Sequence, residues 1–257
     1  RQMRELFNLN GRTALVTGGG QGIGRAITLA LAEFGADVVI NFRGNEELAE
    51  RTASDARKFG AKALLWKFDL ARAGADAEWA KFSGENACHA DILVANASMQ
   101  VRAPFDEVTD EDFEAQINVN LRSTLRLIRA VVPGMAQNRW GRILCIGSVQ
   151  QERPHKDMCV YAASKAGLVN LVKNLAPRLA PMGITVNNLA PGAIATARNS
   201  GALADAEYRR AVESNIPLGY VGEPRDCAGA ALLLCSDAGR YITGADYFVD
   251  GGLGLRF

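Results

Sequence analysis

Seven short runs in this chain are apolar almost without a break: "RTALVTG" (12–18), "DVVINF" (37–42), "KALLWKFDL" (62–70), "DILVANA" (91–97), "GRILCIGS" (141–148), "GITVNNLAPG" (183–192) and "ADYFVDGG" (245–252). A strand with one wet face alternates apolar and polar residues; these do not. Unbroken apolar strands belong to a parallel sheet covered on both faces. Helical patterns separate most of the runs. "GIGRAITLALAEFG" (22–35) puts Ile23, Ile27, Leu31 and Phe34 near one face and stops at Gly35. "EELAERTASDARKFG" (46–60) is amphipathic and also ends on glycine. One long helix is expected after Thr109, an N-cap with Asp112 three residues on, as in a capping box. Further helices are expected over 160–176 and 226–236. Strand and helix repeated in this way imply right-handed crossovers and a doubly wound α/β domain. With no linker, repeat or low-complexity stretch, residues 1–257 read as a single domain.

Of the 257 residues, 48% are hydrophobic and 22% charged, enough to bury a large core. A formal net charge of +1 offers nothing to a nucleic acid. The five cysteines are odd in number and lack CxxC spacing, which argues against a disulfide framework and a zinc site and fits a reducing compartment. No apolar run approaches the ~18 residues of a membrane span, and the charged start "RQMRELFNLNGR" has no signal core. A cytoplasmic protein with no metal and no membrane is expected.

In "TALVTGGGQGIGRA", Gly18, Gly22 and Gly24 follow GxxxGxG spacing between the first strand and the first helix. Side chains there would keep a pyrophosphate from the backbone N–H groups and the positive end of the helix. A tight turn that binds nothing is the alternative. The second strand ends at Phe42 and is followed by Arg43. An acid at this point would take a ribose 2′-OH; its absence beside a guanidinium favours a 2′-phosphate, hence NADP(H), with NAD(H) still open. Asp69, after the third strand, is placed either at the adenine amine or at a helix N-cap.

The stretch "VYAASKAGL" (160–168) sets Tyr161 and Lys165 four apart on one helical face. A free phenol ionises near pH ~10, and a neighbouring ammonium favours the phenolate. The pair suits acid–base work near neutrality. The spacing alone is equally that of an ordinary surface helix.

The chain resembles the short-chain dehydrogenase/reductase family in its compact branch, through "TGGGQGIG" (17–24), "FDL" (68–70), "ANA" (95–97), "NVNL" (118–121), "IGS" (146–148), "YAASK" (161–165), "NNLAPG" (187–192) and "VDGG" (249–252), in the family's order. Ser148 precedes Tyr161 by 13 residues, the family's usual separation. The resemblance implies a Rossmann-type three-layer sandwich around a mostly seven-stranded parallel sheet. It implies an NAD(P)(H)-dependent oxidoreductase acting on a carbonyl or secondary alcohol. Tyr161 would be the general acid or base. Lys165 would hold the nicotinamide ribose and lower the Tyr161 pKa. Ser148 would hold the reacting oxygen, and Asn120 a relay water. Gly18, Gln21, Gly22, Ile23 and Gly24 would cradle the dinucleotide. Asp69, Leu70, Asn96 and Ala97 would line its adenine and ribose. Pro191, Gly192, Ile194 and Thr196 would seat the carboxamide.

Three departures stand out. Ala95 and Ser98 replace an asparagine and a glycine of the family, and the Ser98 hydroxyl is expected to tighten or tilt that backbone. Pro177 interrupts a helix and is expected to kink it, three turns after Lys165. Tyr220 stands where the family often carries arginine, and the sequence offers no reading of that change. The segment after Ser148 is polar, with Gln150 and His155, and 197–217 reads as a lid. A sugar, polyol or sugar-acid substrate is expected, against an apolar pocket lined by Met99 and Met158. A β-ketoacyl-carrier reductase with Arg126, Arg129 and Arg139 as a basic patch, and a non-catalytic dinucleotide sensor, stay open. A dimer or tetramer is implied by the resemblance. Leu168, Leu171, Val172 and Leu175 suit either an interface or the core.

Overall fold

The computed structural model describes residues 2–255. Strands β1 (Thr13–Val16), β2 (Asp37–Phe42), β3 (Ala63–Lys67), β4 (Ile92–Ala95), β5 (Gly141–Ile146), β6 (Ile184–Pro191) and β7 (Asp246–Val249) form one sheet in the order β3-β2-β1-β4-β5-β6-β7. Every pairing is parallel, from Thr13 against Asp37 to Pro191 against Val249. The unbroken apolar runs are explained by the two faces. Leu15, Leu93, Ile143 and Val186 point to one core, with Leu127, Val131, Leu168 and Val172. Ala14, Val16, Ile92, Val94 and Leu144 point to the other, with Ile27, Leu31, Cys227 and Ala231. In the central strands both pleat faces are dry, so both must be apolar.

The helices are α1 (Gly22–Glu33), α2 (Glu46–Lys58), α3 (Ala75–Glu85), α4 (Asp110–Ile117), α5 (Ser123–Gln137), α6 (Cys159–Leu179), α7 (Ser200–Ala204), α8 (Ala206–Glu213) and α9 (Pro224–Cys235). Thr109 caps α4 as expected, accepting the Asp112 N–H at 3.1 Å. The single long helix expected beyond it is instead α4 and α5 joined by a π-helical turn, Asn118–Arg122. Such turns widen the helix and often mark functional positions. Helix α3 falls where no helix was expected; its Ala75 and Trp79 are buried in the core of Trp66 and Phe68.

Pro177 lies in the final turn of the 21-residue α6, where little helix remains to kink. Leu168 and Val172 are buried in the core, and Leu171 and Leu175, partly buried, pack against it. Tyr220 is exposed. Among the described residues no helix is long and apolar enough to cross a membrane. Strand order reverses at β1, which pairs with β2 on one side and β4 on the other. Open sheets of this kind bind ligands outside the carboxyl ends of the strands at that reversal.

Candidate active site

At the carboxyl end of β1 the chain turns through Gly18 (φ +61°) and Gly22 (φ +54°), a left-handed region that favours glycine. A Cβ on Gly24 would sit 2.2 Å from the Gly18 carbonyl oxygen and 2.5 Å from Asn96 Nδ2. Gly24 therefore lets α1 close onto its own loop. A Cβ on Gly22 would meet only the Thr196 side chain, its Cγ2 at 3.5 Å. Gly22 keeps open the approach to the start of α1, and its cap residue Gln21 makes no side-chain bond to the helix N–H groups. A cleft of about 500 Å³ opens there, lined by Gly22, Ala195, Thr196, Ser200, Leu203 and Arg209. Uncapped N–H groups, a bare Cα face and room beside them fit a dinucleotide pyrophosphate.

The end of β2 is fixed by buried Asn41. Its side-chain Nδ2 donates to the Trp66 and Phe68 carbonyls at 3.2 and 3.1 Å, and its backbone carbonyl accepts the Gly19 N–H at 3.1 Å. That leaves Phe42 buried and Arg43 exposed at the rim. Asp69 caps no helix: its Oδ1 accepts the Ala71 N–H at 3.0 Å, and α3 starts from Gly74. Leu70 beside it is buried.

Two asparagines act as braces. Asn96 Nδ2 donates to the Thr17 and Gly18 carbonyls at 2.9 and 3.2 Å, while Thr17 Oγ1 accepts the Asn96 and Ala97 N–H groups at 2.9 Å each. The Asn96 side chain thus holds the glycine loop to the end of β4. Asn120, turned inward by the π-helical turn, accepts the Met99 N–H at 2.8 Å. It donates to the Met99 carbonyl and to Ser164 Oγ, both at 2.9 Å. Ser164 in turn donates to the Tyr161 carbonyl at 2.7 Å. Both amide protons of Asn120 are used, so a water held there would have to donate to one of its oxygens, the side-chain Oδ1 or the backbone carbonyl that Thr124 Oγ1 approaches at 3.5 Å.

Tyr161 is the third residue of α6 and is buried, as is Ser148, two residues past β5. Burial pushes the Tyr161 phenol up, while the Arg198 guanidinium and the Ser148 hydroxyl, its hydrogen-bonding neighbours, pull it down. The expected lowering by Lys165 is not what the packing gives. Lys165 Nζ lies 5.7 Å from the Tyr161 ring centre and donates to the Ile146 carbonyl at 2.7 Å. Burial, helped by the charge of Arg198, brings Lys165 itself down to about 7.

That shift links stability to pH. An unfolded lysine keeps its proton to about pH 10.4, so between about 7 and 10 the unfolded chain binds more protons and stability rises with pH. Lys165→Met removes this slope. The melting temperature of the variant minus that of wild type should be most positive near pH ~6 and shrink toward pH ~9; a difference independent of pH would contradict the burial argument.

Arg198 was missed by sequence reasoning, although it sits in the "ATARN" start of the lid. Its Nη2 donates to the Ser98 carbonyl at 2.9 Å and to Ser98 Oγ at 3.0 Å. The Ser98 departure thus has a partner: the hydroxyl ties the β4 loop to the lid. The segment expected as a lid folds into α7 and α8, Asp205 capping α8 by accepting the Tyr208 N–H at 2.8 Å. Thr196 lies over Gly22, and Ile194 bridges to Gly222. A Cβ on Gly192 would meet Asp250 Cα at 2.6 Å, so Pro191 and Gly192 run tight against the turn after β7. Past Ser148, the Gln150 Oε1 is buried with no partner, and His155 Nδ1 accepts the Asp157 N–H at 3.1 Å. Met158 is buried, with Gln100 Nε2 2.7 Å from its sulfur. Ser148, Tyr161, Lys165 and the Asn120 brace come together at the ends of β4 and β5. The glycine loop adjoins them, and Arg43 and Asp69 stand at the outer rim.

The family described as enoyl-(acyl carrier protein) reductase matches residues 18–254. A 3beta-hydroxysteroid dehydrogenase of Eggerthella lenta is 38% identical over 254 residues, 96% of this chain and 95% of that protein. The structure of a gluconate 5-dehydrogenase from Burkholderia cenocepacia J2315, in complex with NADP and tartrate, superposes with a TM-score of 0.91 at 37% identity, covering 99% of each chain. That of a 3-oxoacyl (acyl-carrier-protein) reductase from Agrobacterium tumefaciens C58 with NADP bound superposes with a TM-score of 0.92 at 36% identity, covering 97% of each.

Proposed function

The chain belongs to the short-chain dehydrogenase/reductase family, and from that premise we propose an NADP(H)-favouring oxidoreductase that interconverts a carbonyl and a secondary alcohol on a small polyhydroxylated substrate. One observation carries the reading: the buried Tyr161 phenol faces the Ser148 hydroxyl in a site flanked by Lys165 and the glycine loop. The nicotinamide, when bound, supplies or accepts the hydride. Gly18, Gln21, Gly22, Ile23 and Gly24 receive the pyrophosphate, and Arg43 the 2′-phosphate. Asp69, Leu70 and Ala97 line the adenosine side, and Pro191, Gly192, Ile194 and Thr196 the nicotinamide side. In reduction Tyr161 gives its proton to the carbonyl oxygen while Ser148 holds that oxygen, and the resulting phenolate is reprotonated by way of Lys165, which is resupplied from solvent through a water on the Asn120 carbonyl. In oxidation the proton runs back to the phenolate.

The polyhydroxylated substrate class is supported by the unpartnered Gln150 Oε1, two residues past Ser148, and by the gluconate 5-dehydrogenase likeness. A 3-oxoacyl-carrier substrate is the competing reading, favoured by the likeness to an acyl-carrier-protein reductase and by exposed Arg129 and Arg139. Titration with NADPH and NADH, then a panel of sugars, polyols, sugar acids and 3-oxoacyl thioesters with the tighter nucleotide, tests both; turnover of the thioesters alone would overturn the first. Arg43→Ala should weaken NADPH by about 10- to 100-fold and leave NADH within a few-fold, a charge-assisted phosphate contact being the one removed. Equal losses for both nucleotides would remove Arg43 from the 2′-phosphate.

We also assign a single catalytic domain over 1–257 with its lid at about 195–217, a cytoplasmic location and a homotetramer built from dimers. Exposed Phe113 on α4 and Tyr247 on the edge strand β7 support the assembly. Sedimentation that gives a monomer at micromolar concentration would overturn it.

A further inference from the structure

Arg198 crosses the mouth of the site from the lid to the β4 loop, joining segments 100 residues apart. Its Nη2 is held by both oxygens of Ser98, and the guanidinium reaches the Tyr161 hydroxyl. Among the described residues no carboxylate lies within ion-pair distance of it; nearby Arg209 is paired with Glu213 at 2.9 Å, while Arg198 has only neutral partners. Lys165 lies beneath, bonded to a neutral carbonyl, and brings no anion to the site. The guanidinium is thus a fixed positive charge, unpaired with any anion of the described residues, beside the reacting oxygen. Arginine presents five donors in a planar fork that suits a carboxylate, and anchoring by Ser98 removes rotamer freedom before any ligand arrives.

We infer that Arg198 is the specificity-determining residue of the site: held by Ser98, it receives a substrate carboxylate and selects polyhydroxy acids over neutral sugars and polyols. This inference rests on the polyhydroxylated-substrate reading above. The guanidinium sits at Tyr161 rather than at the N-terminus of α1, so substrate, not nucleotide phosphate, is the source of the anion.

The test compares gluconate with sorbitol, and galactonate with galactitol, as matched pairs differing in a carboxylate. In wild type the acid has the higher kcat/KM. In Arg198→Gln the acid-over-polyol ratio falls about 10- to 100-fold, mostly through KM, and Arg198→Lys restores part of it. An unchanged ratio, whether or not both rates fall, overturns the inference and leaves Arg198 as a neighbour of Tyr161 only. A change in the NADPH dissociation constant as large as the change in ratio also overturns it, by moving the anion to the nucleotide. A separate readout needs no turnover: gluconate, but not sorbitol, raises the melting temperature of the NADP-saturated wild type, and not that of Arg198→Gln. If no member of the panel is turned over, the substrate reading fails; the melting shift then still supports or overturns the carboxylate contact by itself.

Discussion

Tyr161→Phe is expected to lower kcat by about 10²- to 10⁴-fold, the range of a positioned proton donor. The change deletes one oxygen and keeps the ring that packs at the start of α6. The phenol is buried and its hydroxyl faces Ser148 and Arg198. Ser148 still accepts from the Gln150 N–H at 3.2 Å and Arg198 still has Ser98. No group is stranded, so the loss of stability should stay near 1 kcal/mol. Nucleotide binding lies mostly on the glycine loop and should survive. The measurement is single-turnover oxidation of bound NADPH, with a melting curve and an NADPH titration as controls. A variant within a few-fold of wild type would remove Tyr161 from the chemistry and with it the oxidoreductase reading; the dinucleotide-sensor alternative would then stand. A raised phenol also sets a direction with pH. It keeps its proton through neutrality, so carbonyl reduction should hold there and fall as the phenol ionises, while alcohol oxidation rises over the same range.

Much of this site is legible in the sequence because its signals are local. Gly18, Gly22 and Gly24 mark a strand-to-helix turn by spacing alone, and β2 was bounded correctly at Asp37–Phe42 by its apolar run. Ser148 and Tyr161 are 13 residues apart with nothing but a short cleft segment between them. Helix α3 had a signal that went unread: Ala75, Trp79 and Phe82 fall at i, i+4 and i+7, and all three join the Trp66 core. The π-helical turn left no such mark, since it shifts the buried face by one residue inside a pattern already rich in polar groups. Lys165 shows the other limit. Sequence names its neighbours but not its depth; desolvation, a tertiary quantity, here outweighs charge and moves both Lys165 and Tyr161 opposite to the direction a lysine–tyrosine pair suggests. Arg198 in sequence is one more charged lid residue. Only the fold carries it across to Ser98, itself unremarkable until the guanidinium is beside it.

Gly24→Ala and Gly22→Ala should separate the two duties of the glycine loop. Position 24 is inside α1, where alanine is ordinarily worth up to about 1 kcal/mol over glycine. Here the sign reverses. The new Cβ would stand 2.2 Å from the Gly18 backbone oxygen and 2.5 Å from Asn96 Nδ2, a side-chain end held by two hydrogen bonds. Either α1 lifts from the loop or Asn96 gives up its bonds to the Thr17 and Gly18 carbonyls. Overpacking of this kind costs about 1–3 kcal/mol, and a lost buried brace adds about 1 kcal/mol. For a chain of this length that is a fall in melting temperature of about 5–15 °C, with NADPH binding lost along with the loop geometry. At position 22 the positive φ costs alanine about 1–2 kcal/mol, yet the Cβ meets only the Thr196 side chain, its Cγ2 at an ordinary 3.5 Å. The fold should melt only a few degrees lower, while the methyl occupies the face a pyrophosphate must approach, weakening NADPH by about 10-fold or more. Melting curves and NADPH titrations on the two variants read both quantities. If Gly22→Ala melts far lower than Gly24→Ala, or binds NADPH as tightly as wild type, Gly22 is a turn residue and the cradle lies elsewhere.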